Sequence, residues 1–340
     1  MRAWDEVDPG ARSRAADSSE RAAHGAPAEE AASADPAGHD HPHPHQRSGP
    51  DERPFLGIVG AGRVGTALGV ALARAGWPVH AVASRDPARR ARFVELVGGP
   101  VRPFADAAAL LDEVELILLC VPDDAIEVLA GELRLYAGQA LVHTSGALGA
   151  EALAPAMAAG TQAGAFHPLV AFADLDRSVA ALDGATIVVE GDDQLVDLLA
   201  RMAEAIGAVP VRLRPGTKAA YHAAAVLSAG GLVAMLDAIA ELGRVAGLDE
   251  NESLAIYGRL MDQTMANARA LGIRDALTGP ATRGDVGTLV RHLEALARHA
   301  PDVLPLYRAA AAREIDLALE RGSIDAAVAE RFRSALASNR

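Results

Sequence analysis

Lys218 and His222 stand four residues apart in "TKAAYHAAAV", a stretch otherwise built largely of Ala, Val, Leu and Gly. Residues i and i+4 of a helix share one face, so the two titratable groups address the same space. A cation in the first turn opposes the positive end of the helix macrodipole, which costs stability. The same dipole, with burial, draws a lysine's pKa down toward the range where a general acid/base works. The pair therefore reads as acid–base chemistry. Lys218 would give a proton to a carbonyl oxygen as hydride arrives, or take it back in the reverse direction, with His222 beside it. The bland alternative is a snorkelling lysine and a satisfied core histidine.

Hydride chemistry needs a donor, and the chain carries a site for one. "FLGIVGAGRVGTALGVALARAGWPVHAVASRD" reads as strand, glycine turn, amphipathic helix and second strand. Gly60, Gly62 and Gly65 have G-x-G-x-x-G spacing, with Arg63 and Val64 between the last two. The first glycine permits the tight turn and the second lets backbone approach a pyrophosphate. The third lets helix and strand pack closely. An acidic residue about twenty positions on would select NAD. Here that place holds Ser84 and Arg85, which suit a 2′-phosphate, so NADP(H) is expected over NAD. Asp86 is read as the cap of the next helix, before Pro87.

Further strands deliver more groups to the same rim, because ligands bind outside the carboxyl ends of parallel strands. "VELILLCVPDDAI" brings Val121 and Pro122 over the cofactor, and "QALVHTSGAL" brings His143, Ser145 and Gly146. "AGAFHPLVAF" adds His167. His143, Ser145, Gly146 and His167 are expected to contact substrate. A metal held by His143, His167 and His222 is conceivable, but no metal is assigned. Cys120 reads as core filler, since nothing nearby activates it. "ATIVVEGDD" and "VPVRL" complete an α/β domain over 53–214. Helical periodicity then runs over about 217–246, 250–271, 285–299, 302–320 and 323–336, giving an all-α domain at 215–338. The loop "TGPATRGDVGT" contains Arg283, which could hold a substrate carboxylate or pair with Asp285.

The 340 residues are too many for one compact core, and the formal charge of −13 argues against nucleic acid or an anionic membrane surface. No charge-free apolar run is read as reaching a membrane span, and the single cysteine excludes disulfide stapling. A cytoplasmic protein is expected. Residues 1–52 carry few large apolar side chains and read as a disordered tail. In it His39, His41, His43 and His45 alternate in "HDHPHPH".

Taken together, the glycine fingerprint, "VPDDAI", "HTSGAL", "GAFHPLV", "KAAYHAAAV" and "TGPATRGDVGTLVRHL" resemble a bacterial family with a Rossmann-like domain and a C-terminal helical domain of unknown function. More distantly the chain is similar to 3-hydroxyisobutyrate dehydrogenases and pyrroline-5-carboxylate reductases. The resemblance implies a helical domain that shapes the substrate pocket and mediates homodimerisation. It places Lys218 on the catalytic Lys of the hydroxy-acid dehydrogenases and echoes their Ser-Gly loop in Ser145 and Gly146. Their Asn four residues later is His222 here, a departure that leaves the substrate open. The expectation is an NADP(H)-dependent oxidoreductase acting on a small carbonyl, hydroxy-acid or imino-acid metabolite. The competing expectation is a non-catalytic redox sensor that binds the nucleotide without turnover.

Overall fold

Short apolar runs punctuated by Gly and Pro become strands, and the longer 3.6-period runs become helices. The computed structural model describes residues 53–158 and 160–338. Its sheet contains β1 (Leu56–Val59), β2 (Val79–Ala83), β3 (Arg102–Phe104), β4 (Leu116–Leu119), β5 (Ala140–His143), β6 (Gln162–Pro168), β7 (Thr186–Glu190) and β8 (Val209–Val211). The eight strands lie in the order β3-β2-β1-β4-β5-β6-β7-β8. Every neighbouring pair is parallel except β6 and β7, which are antiparallel. The mostly parallel sheet read from the sequence is the observed one.

Strands β1, β4 and β5 are buried at every position, as expected where helices cover both faces. Successive side chains point to opposite faces. Accordingly Leu116 and Leu118 of β4 enter one apolar cluster and Ile117 and Leu119 the other. The first cluster is closed by α1 (Arg63–Arg74), α2 (Pro87–Val97) and, further along, a helix at Asp193–Ala205, through Leu68, Phe93 and Leu199. The second is closed by α3 (Asp123–Glu132) and α4 (Ala154–Met157), through Ile126 and Ala156. A short α5 (Leu175–Ala181) precedes β7, and the Asp193–Ala205 helix is α6.

Beyond the sheet the chain is helical: α7 (Lys218–Val226), α8 (Leu232–Val245), α9 (Glu250–Leu271), α10 (Ile273–Ala276), α11 (Val286–His299), α12 (Leu304–Glu320) and α13 (Ala326–Ser338). The single helix expected at about 217–246 is interrupted by a π turn at Leu227–Gly231. The other long helices fall close to their expected places. Asp249 and Glu252 form a capping box that starts α9. Leu289, Leu293, Ile315 and Phe332 anchor the core between α11, α12 and α13. A smaller cluster of Leu296, Ala300 and Val303 packs against Ala238 and Leu242 of α8.

One expectation needs correction. The run Lys218–Val245 is long and apolar enough to cross a membrane by length and composition, with a window of mean hydropathy 1.9 of which 6% is buried. No Asp, Glu, Lys or Arg stands between Lys218 and Asp237, so the run is longer than the sequence reading allowed. The expected tail at residues 1–52, with its four alternating histidines, lies outside the described residues.

Candidate active site

The glycine turn is built by close packing. Gly60 has φ +106°, a left-handed conformation that side chains rarely adopt, and a Cβ there would collide with the Cys120 carbonyl. A Cβ on Gly65 would collide with the Gly60 carbonyl. A Cβ on Gly62 would meet nothing within 4 Å, so the backbone at the start of α1 is open to an approaching group. The sequence of tight turn, open glycine and helix N-terminus fits a pyrophosphate. Arg63 is exposed and Val64 half-buried at that opening. Cys120 lies beneath the turn, where burial pushes its thiol up to about 12 despite a hydrogen bond with Thr144, so it is no nucleophile.

At the end of β2, Asp86 caps α2 by accepting from the Ala88 and Arg89 amides, at 2.9 and 3.3 Å. The carboxylate nearest the expected ribose position is thereby spoken for. Arg85 is exposed and makes no hydrogen bond or ion pair among the described residues, while Arg90 donates to the Ser84 carbonyl. Val121 and Pro122 follow β4, and Pro122 is the N-cap of α3.

Register places the rest of the site. Ala83, Val59, Leu119, His143, Ala165 and Glu190 form one row across β2, β1, β4, β5, β6 and β7. This row marks the carboxyl edge of the parallel strands, and α7 meets the sheet there. Lys218, 6% exposed, donates to Glu190 Oε2 at 3.2 Å. The same carboxylate oxygen accepts the Ala150 amide at 3.1 Å. Burial lowers the Lys218 pKa, while Glu190, and less directly Glu151 and Asp123, oppose that shift. Glu190 thus offsets the cost of a cation in a helix's first turn.

One turn on, His222 approaches Gly146. A Cβ on Gly146 would fall far inside van der Waals contact of both His222 Nδ1 and His167 Nε2. The His167 and His222 rings meet edge to face, with centroids 5.8 Å apart. His167 Nδ1 pairs with the Tyr221 hydroxyl at 3.3 Å. Burial, then the neighbouring His222 and Lys218, lower His167 to about 4. His222 Nδ1 is buried without a partner among the described residues.

Lys218, His222, Gly146 and His167 therefore gather as the sequence led us to expect. His143 gathers with them in another role. It is fully buried, its Nδ1 accepts the Ser145 amide at 3.2 Å, and its Nε2 pairs with the Gly149 carbonyl at 2.9 Å. With Nδ1 accepting, the ring proton sits on Nε2 and both nitrogens are used. His143 thus shapes the loop and cannot at once ligate a metal or touch substrate. Ser145 Oγ likewise accepts the Ala147 and Leu148 amides, both at 3.1 Å. Arg283 is exposed on the 3₁₀ turn Ala281–Arg283, with no hydrogen bond or ion pair to the rim. Nor does it hold Asp285, whose carboxylate caps α11 by accepting from Thr288.

Two residues of the site were missed. Glu190 ends a strand beside a buried lysine, a pairing that only the β6–β7 register reveals. Tyr221 lies between Lys218 and His222 in the sequence, and its position in that motif was the available signal.

An open glycine turn at β1–α1 and a charged carboxyl edge belong to a mostly parallel α/β fold with appended helices. Residues 43–168 match the Rossmann-like domain family, and residues 185–314 match the family described as Domain of unknown function (DUF2520). The two matches lie one after the other along the chain. No curated protein matches. Among solved structures it is similar to a Bacteroides fragilis protein provisionally assigned as an NADP oxidoreductase, with 22% identity and TM-score 0.64, covering 78% of this chain and 98% of that one. The Aspergillus terreus reductive aminase in complex with NADPH and ethyl levulinate is 18% identical, with TM-score 0.58 and coverage of 83% and 99%. The 1-pyrroline-5-carboxylate reductase of Streptococcus pyogenes is 15% identical, with TM-score 0.55 and coverage of 80% and 99%. At these identities the likeness is one of fold.

Proposed function

We propose that the protein is an NADP(H)-dependent oxidoreductase of small carbonyl, hydroxy-acid or imino-acid metabolites. The observation that carries this reading is the common edge. The open Gly62 backbone and the Lys218–His222 face both lie at the carboxyl ends of the strands. Structural neighbours that are reductive aminases in complex with NADPH support the same reading. NADP(H), when bound, supplies or accepts the hydride. Gly60, Gly62 and Gly65 would admit its pyrophosphate against the start of α1, while Ser84 and Arg85 would hold its 2′-phosphate.

The remaining chemistry belongs to this chain. Lys218 donates the proton that the reduced oxygen or nitrogen takes up, and receives it in the reverse direction. Glu190 holds the ammonium in place and keeps it charged against burial. His143 and Ser145 fix the loop that presents Gly146, and His167, Tyr221 and His222 form the wall above it. A homodimer through the helical domain, working in the cytoplasm, completes the proposal.

The direct test is NADPH oxidation with a panel of ketones, 2-oxo acids and cyclic imines, measured for wild type and Lys218→Met. Loss of an acid/base group is expected to lower kcat by roughly 10²–10⁴-fold, with NADPH affinity kept. Full turnover by Lys218→Met would remove Lys218 from the chemistry. Separately, Arg85→Asp is expected to weaken NADPH binding and favour NADH, and an unchanged NADPH/NADH preference in binding titrations would refute the 2′-phosphate assignment.

A further inference from the structure

The stretch "SRDPARRAR" at residues 84–92, where β2 gives way to α2, holds four arginines and a single acid. Their partners differ. Asp86 is fully engaged: one carboxylate oxygen accepts the Ala88 and Arg89 amides, and the other pairs with Arg89 Nε at 3.3 Å. Arg90, half-buried one turn into α2, has no carboxylate partner among the described residues, and its Nη1 donates to the Ser84 carbonyl. The Ser84 amide in turn donates to the Phe104 carbonyl of β3 at 3.1 Å. The peptide groups on both sides of Ser84 are thereby tied down, and the second of them leads directly into Arg85.

Water or a neutral donor would satisfy a carbonyl at a half-buried strand end. A guanidinium there brings further N–H donors and a charge that no carboxylate offsets. A phosphate monoester carries about −1.5 to −2 charges at neutral pH, more than one arginine balances. With Arg89 matched to Asp86, Arg85 and Arg90 are left to favour such an anion. Resting on the NADP(H) reading, we propose that Arg90 is a positioning residue that sets the preference for NADPH over NADH. By holding the Ser84 carbonyl it fixes the turn that offers Ser84 and Arg85 to the 2′-phosphate.

NADPH and NADH differ only in that phosphate, so calorimetric titration of the full chain with each isolates its contacts. Arg90→Met keeps an aliphatic stem and removes the donor and the charge. Loss of a charged hydrogen bond is expected to weaken NADPH about tenfold while NADH stays within about twofold. Because Arg90 acts through the turn that carries Arg85, the two should couple: in an Arg85→Ala background, Arg90→Met should weaken NADPH by about threefold or less. Equal weakening of NADPH and NADH would leave Arg90 a merely structural bond. The same loss of NADPH affinity with and without Arg85 would refute the positioning role. A wild-type preference for NADPH that survives Arg90→Met would overturn this inference alone. A wild type that binds NADH as tightly as NADPH would overturn the 2′-phosphate reading on which it rests.

Discussion

Burial holds His167 at about 4, well below the ordinary histidine value of 6.5, and lowers His143 in the same sense. As pH falls through 6.5 the unfolded chain takes up these protons before the folded one does. Stability should therefore fall between about pH 6.5 and 4. Thermal melts across that range are expected to show the loss, and His167→Gln should flatten it in part, His143 supplying the remainder. An identical pH dependence in the variant would contradict a buried neutral His167. Glu190 offers a second residue-level test, because it raises the Lys218 pKa that burial lowers. In Glu190→Gln the lysine should lose its proton at lower pH. The alkaline fall of reductive kcat should move downward accordingly, and a purely structural Glu190 would leave that limb in place. The sequence disclosed Lys218, His222, Gly146 and His167 because types and spacing alone bring them to one rim. It could not disclose that His143 is consumed by its own loop, since that depends on where the Gly149 carbonyl and Ser145 amide turn.

The β1–α1 unit was legible because every constraint on it is local: an apolar strand, then glycines at the places where a Cβ meets backbone. Gly60→Ala combines a left-handed φ with a collision against the Cys120 carbonyl. Over-packing and backbone strain of this kind cost about 1–3 kcal/mol each. The variant is expected to melt earlier and to bind NADPH weakly. Wild-type melting and affinity in that variant would contradict the cradle. The π turn at Leu227–Gly231 was not legible, because "LSAGG" also satisfies a helical apolar pattern and Gly230 and Gly231 tolerate either hydrogen-bond period. Nor was the antiparallel β7, for its apolar run "TIVV" reads the same in both directions and only the preceding connection decides its sense.

At the scale of the molecule, the run from α7 into α8 leaves an apolar surface unexplained by one copy, with Leu227 72% and Val233 65% exposed. Ile256, Leu260 and Met265 of α9 add to the exposed apolar side chains. Such surfaces mark interaction sites. A formal charge of −13 opposes an anionic bilayer, and the same run carries the site residues Lys218 and His222, so a second copy of the chain is the occupant we propose. Light scattering is expected to give about twice the 35.1 kDa chain mass. Leu227→Glu with Val233→Glu should give the monomer; a wild-type monomer, or flotation with liposomes, would contradict this. The central claim remains hydride transfer at the carboxyl edge. Its most direct test is NADPH carrying deuterium at the transferable position, incubated with the carbonyl and imine panel and analysed by mass spectrometry. The prediction is deuterium in a reduced product with wild type and incorporation roughly 10²–10⁴-fold slower with Lys218→Met, although both bind NADPH. Tight NADPH binding by wild type with no deuterium in any product would contradict the account and favour a nucleotide sensor.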